Sequence, residues 1–110
     1  MDIKELTAEM NRFVKSKRWY KADSPRPQSP KNLAASLCLE SAEVLEHFQW
    51  TERLNNPEGL EGELADVALY LLQLASVCGI DLEQATLRKL AFNYARNWDA
   101  DSTQSRPNPV

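Results

Sequence analysis

Two carboxylate pairs share one internal spacing, Glu40-Ser41-Ala42-Glu43 and Glu63-Leu64-Ala65-Asp66, and both lie in stretches that otherwise read as apolar helix. Residues three apart on an α-helix project from one face, with Cβ atoms about 5–6 Å apart, so each pair is a fork of oxygens aimed one way. Turned toward each other in a helical core, these carboxylates cannot all stay ionised unaided, because a buried unpaired charge is costly. A hard divalent cation resolves that conflict. Mg²⁺ suits an all-oxygen cluster, with Mn²⁺ able to take its place. Such a cluster fits phosphoryl or nucleotidyl transfer. It neutralises phosphate charge and lowers the pKa of a bound water, and a carboxylate not fully used by metal, Glu40 or Glu43, takes the proton. Alone, Glu40 and Glu43 read equally well as a solvated helix face. Glu63 and Asp66 do not, because the helix that carries them has little polar surface elsewhere.

The elements that must position these groups are helical. At 110 residues the chain is one domain; Gly is scarce and long β-branched runs are absent, which points to an all-α fold. Asp2 with Glu5 has the form of a capping box, and Leu6, Met10, Phe13 and Val14 then predict a first helix to about Lys17. Arg18 to Ser29 reads as a loop, marked by Pro25 and Pro27. Ser29-Pro30 opens a second helix, expected to reach about Trp50, whose apolar stripe of Leu33, Leu37, Val44 and Phe48 includes Glu40. The connection from Thr51 to Asn56 is short enough to make the second and third helices antiparallel. Asn56-Pro57 opens the third helix and Gly79 closes it. From Leu64 to Val77 nearly every residue is apolar, so this helix is expected to be buried on most sides. Glu63, Asp66, Tyr70 and Gln73 form one polar stripe along it, facing the fork on the second helix. Asp81 with Gln84 caps a fourth helix, with apolar Leu82, Ala85, Leu87, Leu90 and Ala91 and a basic, amide-bearing face of Arg88, Lys89, Asn93 and Arg96. Residues 1–98 make the domain, and 99–110 read as a mobile tail.

Several function classes are disfavoured. A formal net charge of -3 argues against a general nucleic-acid-binding surface. No basic and apolar leader pattern follows Met1, and the helix around Leu69 to Val77 is too short to span a bilayer, so a soluble cytoplasmic protein is expected. Cys38 and Cys78 read as small core residues in a reducing compartment. Other residues are candidates for a ligand. Trp19-Tyr20 at the loop edge is either a hydrophobic plug over the helix ends or a stacking surface for a planar ligand. Lys31 and Asn32 lie in the first turn of the second helix, where free N–H groups favour anions. His47 follows Glu43 by four residues but is left out of the ligand set, since hard cations prefer oxygen.

Pro30-Lys31-Asn32-Leu33, then Leu39-Glu40-Ser41-Ala42-Glu43-Val44-Leu45-Glu46-His47-Phe48-Gln49-Trp50, then Glu63-Leu64-Ala65-Asp66-Val67 with Tyr70, resembles the MazG-like nucleotide pyrophosphohydrolases. Within that family it is similar to the branch of small single-domain enzymes like dCTP pyrophosphatase. The resemblance runs from about Met10 to Arg96. It implies an oligomeric all-α four-helix bundle in which Glu40, Glu43, Glu63 and Asp66 hold Mg²⁺. The implied reaction cleaves a (deoxy)nucleoside triphosphate, dCTP-like, between the α and β phosphates to give a monophosphate and pyrophosphate, a step in nucleotide pool sanitation. Trp19 and Trp50 would enclose the base. Lys31, Tyr70, Lys89, Asn93 and Arg96 would lie on the sugar and phosphate side, and Asn32 joins them as a substrate-binding candidate from its place in the first turn of the second helix. The implied assembly is a dimer or tetramer. A third helix apolar nearly all round favours the tetramer, because one chain can cover only part of it.

Three departures from the family pattern stand out. Leu39 occupies a position where many members carry a further Glu. The loop from Trp19 to Pro30 is a few residues longer, and the closing segment reads Arg96-Asn97-Trp98 in place of a basic-Tyr-Pro run. Rival readings are a di-iron carboxylate bundle, a related all-α dUTPase-like activity, and a non-enzymatic helical module of antitoxin or regulatory type. The di-iron bundle needs Glu-x-x-His on two helices, and this chain has one His, four residues from Glu43. The module leaves the polar stripe on the third helix unexplained.

Overall fold

The computed structural model describes residues 1–96. It contains α1 (Ile3–Ser16), α2 (Pro30–Glu46), α3 (Pro57–Val77) and α4 (Leu82–Ala95), with no strand among the described residues. The all-α expectation is borne out. The proposed tail, 99–110, lies outside the described residues, as do Asn97 and Trp98.

Each helix begins where a side chain can accept from an otherwise unpaired N–H. Asp2 accepts from Glu5 N at 2.7 Å, Ser29 from Asn32 N at 3.2 Å, Asn56 from Gly59 N at 3.1 Å, and Asp81 from Gln84 N at 3.1 Å. Pro30 and Pro57 open α2 and α3, where a missing N–H costs nothing. Both α1 and α3 stop in a left-handed turn. Gly79 at φ 70° lets Ile80 N reach Ala75 O at 2.8 Å and Gly79 N reach Ser76 O at 3.1 Å. Arg18 at φ 63° does the same for α1, sending Trp19 N to Val14 O at 3.3 Å. A side chain in that region is strained, and the strain here turns Trp19 back onto the core.

α2 stops at Glu46, short of the expected Trp50. His47 to Gln49 continue in tighter turns, with Phe48 N bonded to Leu45 O at 2.9 Å. The chain needs those residues to reverse direction into α3. The reversal makes α2 and α3 antiparallel: His47 at the end of α2 meets Glu63 near the start of α3, while Asn32 and Leu33 face Tyr70 and Gln73. This pair is the most extensively packed in the molecule, and α1 lies against α3. The core joins Met10 and Val14 of α1 to Leu72 of α3, with Ile3, Trp19, Tyr20 and Leu82 packed on it. Leu33 of α2 is the most deeply buried residue, at 2% exposure.

Coverage ends there. α3 and α4 meet at a bend of 103°, α4 buries no residue fully, and the radius of gyration is 17.0 Å. A compact chain of this length would have one of about 13 Å. The expected burial of α3 on most sides is therefore not met within one chain. Leu64, Leu69, Leu71 and Val77 are exposed, because α1 and α2 cover only the face carrying Leu72, Gln73 and Ala75. Cys38 and Cys78 are exposed for the same reason, which corrects their reading as core residues. No single helix among the described residues is long and apolar enough to cross a membrane.

Candidate active site

The antiparallel pairing of α2 with α3 brings the two carboxylate forks into electrostatic contact. Glu40 shows this most clearly. Its Oε2 is closed off from solvent and has no hydrogen-bond partner. Burial pushes its pKa up from the usual 4.5, followed by a hydrogen bond shared with Glu43 and then the charges of Glu43, Asp66 and Glu63. All three other carboxylates thus act on Glu40. They do not close into a ready cage: among the described residues no three His, Cys, Asp or Glu groups are set to hold one metal ion.

The donor set nevertheless fits a hard cation. It is all oxygen, one oxygen is buried and orphaned, and like charges press on one carboxyl, which a divalent cation would relieve. One ligand candidate has a partner already. His47 Nε2 lies 3.0 Å from Glu63 Oε2, with both side chains largely buried. Gly59 gives the histidine room, since a Cβ there would meet the Asn56 side chain and come within 3.1 Å of His47 Cε1. Sequence reasoning placed His47 outside the ligand set, and the structure makes it a hydrogen-bond partner of that set instead.

The raised pKa of Glu40 has a measurable consequence. Its ionised form costs the metal-free fold stability above the raised value. The cost is relieved as pH falls through that value toward 4.5, where the unfolded chain also takes up the proton. Glu40→Gln should therefore melt at a higher temperature than wild type in EDTA at neutral pH, and the gap should close as pH drops to about 4. Melting curves of the two proteins across that range check this, and a gap that is absent or widens on acidification would contradict it.

Beside the carboxylates lies a cleft of about 770 Å³, walled by α1, the loop before α2, the start of α2 and the middle of α3. That volume is within the range of small-ligand sites. It brings together Trp19, Asn32, Asp66 and Tyr70 from the expected site residues. Trp19 packs on the core and on the edge of Phe13, with ring centroids 5.7 Å apart. Tyr20 instead fixes the loop, donating its hydroxyl to Asn11 Oδ1 at 2.6 Å. The aromatic pair thus divides the two roles, Trp19 on the cleft wall and Tyr20 as a plug. Asn32 holds the loop through Nδ2, which donates to Pro27 O at 3.0 Å.

Other expected residues lie elsewhere. Lys31 is exposed in the first turn of α2, next to the cleft but not lining it. Trp50 is 89% exposed beyond the end of α2, apart from Trp19. On α4, Lys89 and Arg96 both lie over the Phe92 ring, at 5.3 and 5.6 Å from its centroid, and with Asn93 they are half-buried outside the cleft. Among the lining residues that went unread in the sequence as site residues are Arg26 and Gln28. Gln73, noted only as part of the polar stripe, is buried and donates to Gln28 Oε1 at 2.6 Å. The signal was present in the Pro-rich loop, but periodicity says nothing about where a loop folds back.

Fold and site define an all-α domain with facing carboxylate forks and an adjoining cleft. Residues 28–93 match the MazG nucleotide pyrophosphohydrolase domain, and the chain belongs to that family. It is similar to dCTP pyrophosphatase 1 of Homo sapiens, 36% identical over 104 residues that span 86% of this chain and 56% of the relative. Similarity extends to a dATP/dGTP diphosphohydrolase of Cyanophage S-2L, 27% identical over 96 residues covering 87% of this chain and 77% of that protein. A crystal structure of a pyrophosphatase from Archaeoglobus fulgidus superposes with a TM-score of 0.70 at 35% identity, covering 83% of this chain and 87% of the other. The chain spans little more than half the length of the dCTP pyrophosphatase relatives it matches.

Proposed function

We propose that this protein hydrolyses a deoxynucleoside triphosphate, dCTP-like, between the α and β phosphates, with Mg²⁺ held by Glu40, Glu43, Glu63 and Asp66. The observation that carries the reading is Glu40. A carboxylate with an orphaned buried oxygen, pressed by three like charges of which one, Asp66, lines a nucleotide-sized cleft, calls for a cation and an anionic ligand together. When bound, Mg²⁺ would neutralise phosphate charge and make a bound water more acidic.

The chain's own residues supply the rest. Trp19, with the Arg26 guanidinium over its ring, lines the same cleft as Asp66. A nucleotide with its base beside Trp19 and Arg26 would set its α-phosphate nearest the carboxylates, so pyrophosphate is the leaving group. Glu40 or Glu43, where not fully used by metal, takes the proton from the attacking water. Tyr70 and Asn32 line the path of the sugar. Lys31, Lys89, Asn93 and Arg96 serve the phosphates, and Trp50 the base, in an assembly of several chains, tetramer favoured over dimer. The exposed apolar faces of α3 and α4 support such an assembly, which lets one site draw on more than one chain.

Purified protein with Mg²⁺ and a panel of triphosphates should release the monophosphate and intact pyrophosphate, followed by phosphorus NMR. Orthophosphate as the primary product would refute the geometry. Strict selectivity for dUTP would favour a dUTPase-like enzyme, and no turnover at all would favour a helical interaction module.

A further inference from the structure

Arg26 lies in the loop between α1 and α2, and several restraints hold its backbone. Pro25 and Pro27 flank it. Each ring fixes its own φ, and a residue before proline is confined to extended backbone, so Ser24 and Arg26 are both restricted. The Arg26 N–H donates to the hydroxyl of buried Ser24 at 3.0 Å, and its carbonyl accepts from Gln28 Nε2 at 2.6 Å. Gln28 Oε1 accepts in turn from Gln73, buried in α3, at 2.6 Å. Gln73 also acts on Tyr20, whose hydroxyl burial pushes above its usual pKa. Tyr20 reaches Asn11 of α1, and Asn11 Nδ2 donates to Ser76 Oγ at 2.9 Å. A surface loop arginine with no task has no need of a hydrogen-bonded frame running into two helices.

The frame holds the Arg26 backbone, and the exposed side chain turns toward Trp19. The Arg26 guanidinium lies over the Trp19 ring, its Cζ 5.7 Å from the centroid, and both residues line the cleft with Gln28 and Gln73. Asp66 lines the same cleft seven residues before Gln73 on α3, about 10 Å along the axis. That separation matches a nucleotide laid with its α-phosphate by Asp66 and its base by Gln73.

We propose that Arg26 determines base specificity. Its guanidinium, held over Trp19, donates two parallel N–H groups to a base edge that offers two adjacent acceptors. This rests on the pyrophosphohydrolase reading. Cytosine presents such an edge at O2 and N3, and guanine at O6 and N7. Thymine and uracil place an N–H between their two carbonyls, and adenine sets its amino group beside N1 and N7 and leaves N3 with no adjacent second acceptor. The selected substrates are therefore cytosine or guanine deoxynucleotides.

The test compares wild type, Arg26→Ala and Arg26→Lys on dCTP, dGTP, dTTP and dATP, with circular dichroism melts to confirm folding. Arg26→Ala should lower kcat/KM for dCTP and dGTP about tenfold or more, chiefly through KM, and leave dTTP and dATP within about twofold. Arg26→Lys should not restore the difference, because an ammonium lacks the planar fork. An equal loss on all four, the mark of a phosphate contact, or no loss on any, overturns the proposal. Should wild type turn over none of them, the pyrophosphohydrolase reading fails separately, and calorimetric binding of dCMP and dTMP decides Arg26. Preferential loss of dCMP affinity in Arg26→Ala supports its role, and unchanged or equally reduced affinities refute it.

Discussion

Asp66→Asn should lower turnover of the preferred triphosphate by about 10²-fold or more, the scale seen when one charge-stabilising group is removed from a reacting centre. Of the four carboxylates, Asp66 is the one that lines the cleft, and it also presses on Glu40. The amide keeps its shape and removes its charge, so the loss reads the charge and not the packing. Asp66 is exposed, and exposed substitutions usually shift stability by no more than about 0.5 kcal/mol. Nucleotide binding, followed by calorimetry, should survive, since Trp19 and Arg26 are untouched. Steady-state rates with product analysis make the measurement. Turnover within a fewfold of wild type would remove Asp66 from the reacting centre and the shared carboxylate cluster with it.

The proposed assembly should break into smaller species when Leu87 and Leu90 are replaced together by Asp. Both lie on α4, 53% and 50% exposed, on a stripe that continues to Tyr94 at 84%. The opposite face of that helix, with Lys89, Asn93 and Arg96, is the half-buried one. Leu82 of α4 packs on the core and Arg88 is exposed, so the outward face is mixed, but its large apolar side chains make it a surface suited to cover by another chain. Each leucine so covered is worth about 1.5–3 kcal/mol, and an aspartate in its place adds the cost of a buried charge. Light scattering should report a multiple of one chain for wild type at micromolar concentration, near four, and a smaller species for the double variant. A monomeric wild type would overturn the inference.

Much of the fold could be read directly because helix ends are local chemistry. Asp2, Ser29, Asn56 and Asp81 each needed only a backbone N–H three residues on, and each finds it. The end of α2 could not be read the same way. The apolar stripe persists to Phe48, but the reversal into α3 is set by the partner helix and not by the stripe. Burial failed for a related reason: an apolar run on α3 states that the surface wants covering, not that this chain covers it, as Leu64 and Leu71 show. Within the site, the carboxylate spacing carried the α2–α3 cluster, while the His47–Glu63 contact and the Gln28–Gln73 bond join residues whose pairing no periodicity encodes. Trp50, matched by motif with Trp19, stands apart from it within one chain, a separation that sequence adjacency to α2 does not reveal.

All four carboxylates sit on a single hairpin, α2 and α3, whereas the loop that frames Trp19 is anchored to it by a handful of side-chain bonds. This separates what selection must preserve from what it can vary. Adding residues to a loop raises closure entropy only as the logarithm of its length, so the Trp19–Pro30 segment can lengthen or shorten at small cost. The acidic hairpin can remain unchanged while neighbouring loops are exchanged around it. A lineage built on this plan would diversify through its connections, keeping one reaction and changing which molecules reach it.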